Sequence, residues 1–171
     1  MAVNLSTLQF EQPSLVKTVL DCLERHQVPP EMLILEVTET TAMSNPDESV
    51  RVLTELTNAG VKASIDDFGT GYSSLLYLKR LPACELKIDR AFVKELSGES
   101  EDATIVSAIV ALAKTLNLKV VAEGVETEAQ QTFLTELGCN TLQGYLLGKP
   151  ASAQTIEALC ARGEMLPGAE L

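Results

Sequence analysis

The stretch VKASIDDFGTGYSSLLYLKRLPACELKID, residues 61–89, decides the fold, and the rest of the chain is interpreted around it. It opens with a short apolar run at 61–65 that reaches two adjacent acids, Asp66 and Asp67. A turn marked by Gly69 and Gly71 follows, and a second apolar run at 86–88 contains Lys87. Short apolar runs bounded by turn residues are typical of buried strands, so the stretch predicts two strands with charged side chains near their ends.

The two adjacent acids need a physical explanation. Like charges a few ångströms apart resist ionisation, so holding Asp66 beside Asp67 costs free energy. A bound divalent cation would offset that cost. The alternative is that both residues cap a turn, which aspartate does well. This stretch alone leaves both interpretations open.

Length and composition restrict the class of protein. The 171 residues fit one domain with a substantial core, and an apolar content of 46% excludes disorder for most of the chain. The net charge of −11 argues against a nucleic-acid polymer or an anionic membrane as partner. The sequence has no run of eighteen apolar residues and no secretory or lipidation signal, so we expect no membrane segment here.

The cysteines are scattered and form no CxxC pair, so they predict neither a zinc site nor a disulfide framework; they are Cys22, Cys84, Cys139 and Cys160. We expect all four to be small buried side chains in a reducing compartment, which predicts a cytoplasmic protein. The single histidine, His26, cannot build a His-rich metal site.

Apolar runs alternate with helical patterns along the whole chain. The runs lie at 2–6, 32–38, 61–65, 86–88, 118–122 and 141–142. About six such units predict a parallel sheet covered by helices. With no internal repeat and no linker, we predict one domain over residues 1–163 and a disordered tail at 164–171.

Polar side chains lie at or just past the carboxyl ends of these runs: Asn4, Glu36, Asp66, Asp67, Lys87, Glu123 and Gln143. In a (β/α) barrel this is the face on which active sites form. The set offers oxygen ligands without sulfur or imidazole, which favours Mg²⁺ or Mn²⁺. Asp66, placed between Glu36 and Asp67, could bridge two ions, the usual arrangement for hydrolysis of a phosphodiester.

Two further residues have interpretations of their own. Lys87 is either a structural partner that balances the charge of the acids, or a group that orients or deprotonates the attacking water or stabilises phosphate charge. Glu39 follows Glu36 by three residues, and we expect it to hydrogen-bond the loop at 69–71 rather than bind a metal.

Several motifs resemble the EAL domain family of bacterial phosphodiesterases, which open cyclic di-GMP to the linear dinucleotide pGpG. They are VNLS at 3–6, LEVTET at 35–40, IDDFGTGYSSLLYLKRLP at 65–82, LKID at 86–89, VVAEGVET at 120–127 and LQGYLLGKP at 142–150. The likeness runs in register along almost the whole chain. It implies a modified TIM barrel as the fold.

The resemblance also implies a role for each matching position. The metal ligands would be Asn4, Glu36, Asp66 and Asp67. Lys87 would be the catalytic lysine that acts on the attacking water, and Glu123 a catalytic residue of the metal and water shell. Gln143 would line the same site. Glu39 would anchor the loop that begins at Asp66 and couples metal binding to the contacts of a homodimer.

One family motif is absent from its expected place. The Glu-Ala-Leu tripeptide that names the family belongs near the start of the domain, where its glutamate binds metal and a nearby arginine binds the substrate phosphate. Here the only such string lies at 157–159, on the last predicted helix. Against a barrel of about eight strands, roughly two strand–helix units at the start are missing. We therefore predict an incomplete TIM-like (β/α) barrel, the C-terminal portion of an EAL domain.

Three functions follow from these expectations. The first is a metal-dependent cyclic di-GMP phosphodiesterase. The second is a catalytically inactive module that binds cyclic di-GMP or another protein, which the missing glutamate and arginine favour. The third is an unstable fragment without activity of its own.

Overall fold

The computed structural model describes residues 1–71, 74–96 and 100–162. The strands are β1 (Ala2–Leu5), β2 (Ile34–Thr38), β3 (Lys62–Phe68), β4 (Glu85–Ile88), β5 (Lys119–Glu123) and β6 (Thr141–Gln143). The helices are α1 (Thr7–Phe10), α2 (Leu15–His26), α3 (Glu39–Ser44), α4 (Pro46–Asn58), α5 (Leu75–Leu78), α6 (Arg90–Lys94), α7 (Glu101–Thr115), α8 (Glu128–Leu137) and α9 (Ala153–Arg162), and a 3-10 turn spans Pro30–Met32.

The strands follow one another in the sheet in chain order. One compact unit contains residues 1–87 and 112–119, and in it β1, β2, β3 and β4 are successive neighbours. A second unit contains residues 88–111 and 120–162, and in it β5 pairs in parallel with β6. Six parallel strands with helices in the connections confirm the predicted fold class, an incomplete TIM-like (β/α) barrel.

The strand register places polar side chains in layers on one face of the sheet. Asn4 is the partner of Glu36, and Glu36 is the partner of Ser64. Two residues further along, Thr38 is the partner of Asp66. Partner residues on parallel strands point to the same face, and so do residues two apart on one strand. The ends of β1, β2 and β3 therefore share one polar face.

Two helices begin with the capping residues that their sequences predict, Asn45 with Pro46 and Thr127 with Gln130. The side chain of Asn45 accepts a hydrogen bond from the N–H of Glu48, and Pro46 occupies the first turn of α4. Thr127 and Gln130 form the predicted capping box at the start of α8. These caps satisfy N–H groups that have no partner inside the helix.

The structure differs from the sequence prediction around the adjacent acids. β3 continues to Phe68, so Asp66 and Asp67 belong to the strand, because its pairing with β2 extends to Asp66. The short helices α1, α3 and α6 were not predicted, since four to six residues are too few to show a helical period. The sequence also predicts a short helix at 73–79; its first residue and the predicted tail at 164–171 lie outside the described residues.

The expectation that all four cysteines are buried is wrong. Cys22 and Cys160 are exposed on the surfaces of α2 and α9, while Cys84 and Cys139 are half-buried. Burial raises the pKa of the Cys84 thiol above its ordinary value. Across the described ranges, no helix is long and apolar enough to cross a membrane.

Candidate active site

A buried lysine lies between two acids at the ends of adjacent strands. Lys87 Nζ is 2.9 Å from Oε1 of Glu36 and 3.1 Å from Oδ1 of Asp66. The three residues are only 4%, 8% and 8% exposed, respectively, and come from β4, β2 and β3. One ammonium facing two carboxylates leaves a formal charge of −1 on this trio, and uncompensated buried charge is costly. The arrangement therefore has the charge and the oxygen donors to accept a divalent cation.

Asp67 adopts a conformation that is rare outside glycine. Its φ is 53°, in the left-handed region, where residues with a side chain are found mostly at turns and functional sites. Its N–H donates to Oδ1 of Asp66, and carboxylate oxygens of the two aspartates lie within 4.8 Å of each other. The turn at 67–70 uses the backbone carbonyl of Asp67, which accepts from Thr70 Oγ1 at 2.8 Å.

Asn4 lies on the edge strand β1 beside Glu36, its partner in the register. Its backbone position is fixed by four successive residue pairs between β1 and β2. Asn4 is exposed, whereas Glu36 is buried. The amide of Asn4 thus adds a neutral oxygen donor at the strand end nearest Glu36, a type of ligand that hard divalent cations accept.

Glu39 is buried at the start of α3 and contacts the loop that follows β3. Its Oε2 accepts hydrogen bonds from the N–H of Gly69 at 2.9 Å and of Gly71 at 3.4 Å. A Cβ on Gly71 would lie 3.1 Å from Oε1 of Glu39, so the carboxylate and the loop are closely packed. Glu39 has the expected contacts of a loop anchor, and its functional role stays a prediction.

The second unit carries the other two predicted site residues. Glu123 at the end of β5 is the register partner of Gln143 at the end of β6. Both line a cavity of about 200 Å³, together with Arg90, Gly124, Glu126, Gly144 and Tyr145. This cavity combines acidic, basic and amide groups, which suits a polar ligand.

Gly144 lets the loops after β5 and β6 approach each other closely. The N–H of Val125 donates to the Gln143 carbonyl, and the N–H of Leu146 donates to the Val125 carbonyl, both at 3.0 Å. A Cβ at Gly144 would lie 2.1 Å from the Val125 carbonyl oxygen and 2.2 Å from its nitrogen. Only glycine fits this position without moving the backbone.

Two residues of interest were not predicted from the sequence. Arg90 lines the cavity with Glu123 and Gln143. Its position just after β4, next to the capping residue Asp89, could have identified it as a candidate from the sequence. Thr41 lies on α3, a helix too short to be predicted, and nothing in the sequence distinguished it.

Comparison with known proteins decides the family. Residues 1–150 match the family model described as the EAL domain. The chain belongs to the EAL domain family. It is 65% identical over 161 residues to the bifunctional diguanylate cyclase/cyclic di-GMP phosphodiesterase MucR of Pseudomonas aeruginosa, covering 94% of this chain and 24% of MucR. It is 46% identical over 157 residues to the cyclic di-GMP phosphodiesterase NbdA of the same organism, covering 92% of this chain and 20% of NbdA.

Solved EAL structures have the same fold. The PaMucR phosphodiesterase in complex with c-di-GMP is 66% identical, with a TM-score of 0.89, and the match covers 91% of this chain and 69% of that one. The manganese/cy-diGMP complex of Klebsiella pneumoniae BlrP1 is 34% identical, with a TM-score of 0.79 over 88% of this chain and 38% of BlrP1. The chain thus spans about a quarter or less of the curated relatives above. Divalent metals occur in structures of this family.

Proposed function

We propose that this chain forms part of a metal-dependent phosphodiesterase that hydrolyses cyclic di-GMP to linear pGpG. The observation that carries the proposal is the burial of Lys87 between Glu36 and Asp66 at the carboxyl ends of adjacent strands. The printed names of MucR and NbdA as cyclic di-GMP phosphodiesterases support the choice of substrate.

The donor set fits Mg²⁺ or Mn²⁺, and the proposed ligands are Asn4, Glu36, Asp66 and Asp67, with Glu123 in the metal and water shell. All of them offer carboxylate or amide oxygens, the ligands that these hard cations prefer. When bound, the ions would stabilise charge on the phosphoryl oxygens and activate the nucleophile. Asp66, with Glu36 on one neighbouring strand and Asp67 next in sequence, is the proposed bridge between two ions.

Lys87 would orient the attacking water and stabilise charge at the phosphate. Its ammonium lies within hydrogen-bond distance of both Glu36 and Asp66, two of the proposed metal ligands. An ammonium held at this position would contribute electrostatically to the stabilisation of the phosphate.

Gln143 would line the substrate site. A homodimer through the segment after Asp66 is also proposed, because Leu75 and Leu76 form an exposed apolar pair there. These two side chains are 58% and 69% exposed, which is unfavourable in a monomer. The cytoplasm is the compartment that we propose, as the sequence predicts.

The test is incubation of the chain with cyclic di-GMP and Mn²⁺, with separation of the products by ion-exchange chromatography. The proposal expects pGpG that disappears with EDTA and in Asp66→Asn. Saturable binding of cyclic di-GMP without product would instead support the second candidate, an inactive binding module.

A further inference from the structure

A chain of three threonine hydroxyls connects the loop after β1 to helix α3. Thr41, on α3, is only 3% exposed. Its Oγ1 accepts a hydrogen bond from Thr38 Oγ1 at 2.9 Å and lies 2.8 Å from Thr7 Oγ1. Thr7 is the first residue of α1, and Thr38 is the last residue of β2. A single buried side chain therefore contacts the end of β2 and the start of α1.

Two hydrogen bonds join Thr38 to Thr41, and a third joins Thr41 to Thr7. Thr38 Oγ1 accepts from the backbone N–H of Thr41, as the capping residue of α3, and donates its own proton to Thr41 Oγ1. The hydrogen bond between Thr41 Oγ1 and Thr7 Oγ1 can be donated by either hydroxyl, because each has one proton and two lone pairs. All three hydroxyls are used in one continuous chain, so removal of the middle one breaks both links.

The link to Thr7 acts where the strand pairing has stopped. The register between β1 and β2 ends at Leu5 with Val37, two residues before Thr7. Asn4 lies three residues before Thr7, and its pair with Glu36 is the last but one of that register. The hydrogen bond between Thr7 and Thr41 thus holds the chain just beyond Asn4 against the segment that follows Glu36.

Helix α3 also holds the loop after β3, through the hydrogen bonds of Glu39 to Gly69 and Gly71. Its first turn therefore contacts the last residue of β2 and the segments that follow β1 and β3. These are the three strands that carry Asn4, Glu36 and Asp66. The helix is a common support for all three.

We propose that Thr41 is a positioning residue, which fixes the loop after β1 so that Asn4 stays in place beside Glu36 for binding a divalent cation. The cation part rests on the function proposed above, whereas the fixing of the loop does not. Removal of a group that orients a metal ligand commonly weakens the affinity for the metal by about 10- to 100-fold.

The experiment compares three variants with the wild-type chain. Thr41→Val removes the hydroxyl and keeps the branched shape, and Thr41→Ser keeps the hydroxyl and should rescue. Thr54→Val is the matched control, because half-buried Thr54 donates to the Val50 carbonyl within its own helix, α4. Two quantities are measured: amide exchange of Phe10 and Glu11, the hydrogen-bonded N–H groups of α1, in metal-free protein, and the Kd for Mn²⁺ by EPR.

The proposal expects faster exchange at Phe10 and Glu11 in Thr41→Val alone, and a Mn²⁺ Kd raised about tenfold in that variant. Unchanged exchange in Thr41→Val, or equally fast exchange in Thr54→Val, would overturn the link to the loop. An unchanged Kd with faster exchange would overturn the positioning role. A wild-type chain that binds no Mn²⁺ would contradict the proposed function and the cation role of Thr41, while the exchange data would still decide whether Thr41 holds the loop.

Discussion

The ammonium group of Lys87 lies 2.9 Å from Oε1 of Glu36, although the strands that carry the two residues are separated in the sheet by β3. The contact spans β3 on the polar face of the sheet, where Asp66 provides the second carboxylate. Lys87 is thus the charge partner of both acids, and its action on a phosphate is the proposed role of the same ammonium. The two interpretations left open by the sequence are compatible with this geometry.

Replacing Lys87 by methionine should affect stability as well as activity. It leaves the buried carboxylates of Glu36 and Asp66 without their cation, and breaking a buried ion pair costs about 3–5 kcal/mol. We expect a lower melting temperature without metal, partial recovery with Mn²⁺, and hydrolysis reduced by about 10²- to 10³-fold. Thermal denaturation with and without Mn²⁺, together with pGpG formation, measures these effects.

The matched control for that variant is Lys17→Met. Lys17 forms an exposed ion pair with Asp21 at 2.6 Å, and such pairs contribute little to stability because water screens them. Its melting temperature and activity should stay near those of the wild-type chain. If Lys87→Met melts like Lys17→Met and hydrolyses at the wild-type rate, Lys87 has neither role.

Replacing Glu39 by alanine should loosen the loop at 69–71. The N–H groups of Gly69 and Gly71 would lose their acceptor, so their amide exchange should accelerate. Glu39→Gln keeps one acceptor oxygen, so its amide exchange should be faster than in the wild-type chain and slower than in Glu39→Ala. The control is Glu55→Ala, at an exposed position on α4 that pairs with Arg51. Equal exchange in all variants would show that the carboxylate does not hold the loop.

Replacing Gly144 by alanine should impair ligand binding in the second unit. The new Cβ would press on the backbone of Val125, and overpacking of this kind costs about 1–3 kcal/mol. The displacement would move Gln143 relative to Glu123, its partner in the register. We expect weaker binding of cyclic di-GMP, measured by calorimetry.

Gly138→Ala provides the comparison for Gly144→Ala. Gly138 ends α8 with a φ of 85°, so alanine there is strained by about 1–2 kcal/mol without contacting the cavity. It should lower the melting temperature and leave binding intact. Similar affinities in the two variants would contradict a role for the close approach at Gly144.

Replacing Ser64 by alanine should leave the chain as stable as before or more stable. Ser64 Oγ is fully buried beside Glu36 in the register and has no hydrogen-bond partner within the described ranges. An unsatisfied buried hydroxyl costs about 1–3 kcal/mol, which alanine would relieve. A clearly lower melting temperature for Ser64→Ala would mean that the hydroxyl is used.

The sequence predicted the polar face because parallel strands place their carboxyl ends together. Asp66 and Lys87 could be assigned to strand ends from the apolar runs that precede or contain them, and the structure joins them in an ion pair. The fold class followed from the same alternation of strands and helices. These inferences depend on local patterns several residues long, which tertiary contacts seldom override.

The supporting contacts could not be predicted in the same way. Helix α3 has six residues, and its stability comes from the Thr38 cap and the burial of Thr41 rather than from a repeating apolar face. The exposure of Cys22 depends on which side of α2 faces the sheet at that turn. Such features require the packing of segments that lie far apart in the sequence.

The most direct test of this account is binding of Mn²⁺ to the wild-type chain, followed by EPR, alongside Asp66→Asn and the surface control Asp21→Asn. The account predicts saturable binding to the wild-type and Asp21→Asn chains and a large loss of affinity in Asp66→Asn, because Asp66 is the proposed bridging ligand. Equal affinity in all three chains would contradict it, since the ion would then be bound elsewhere.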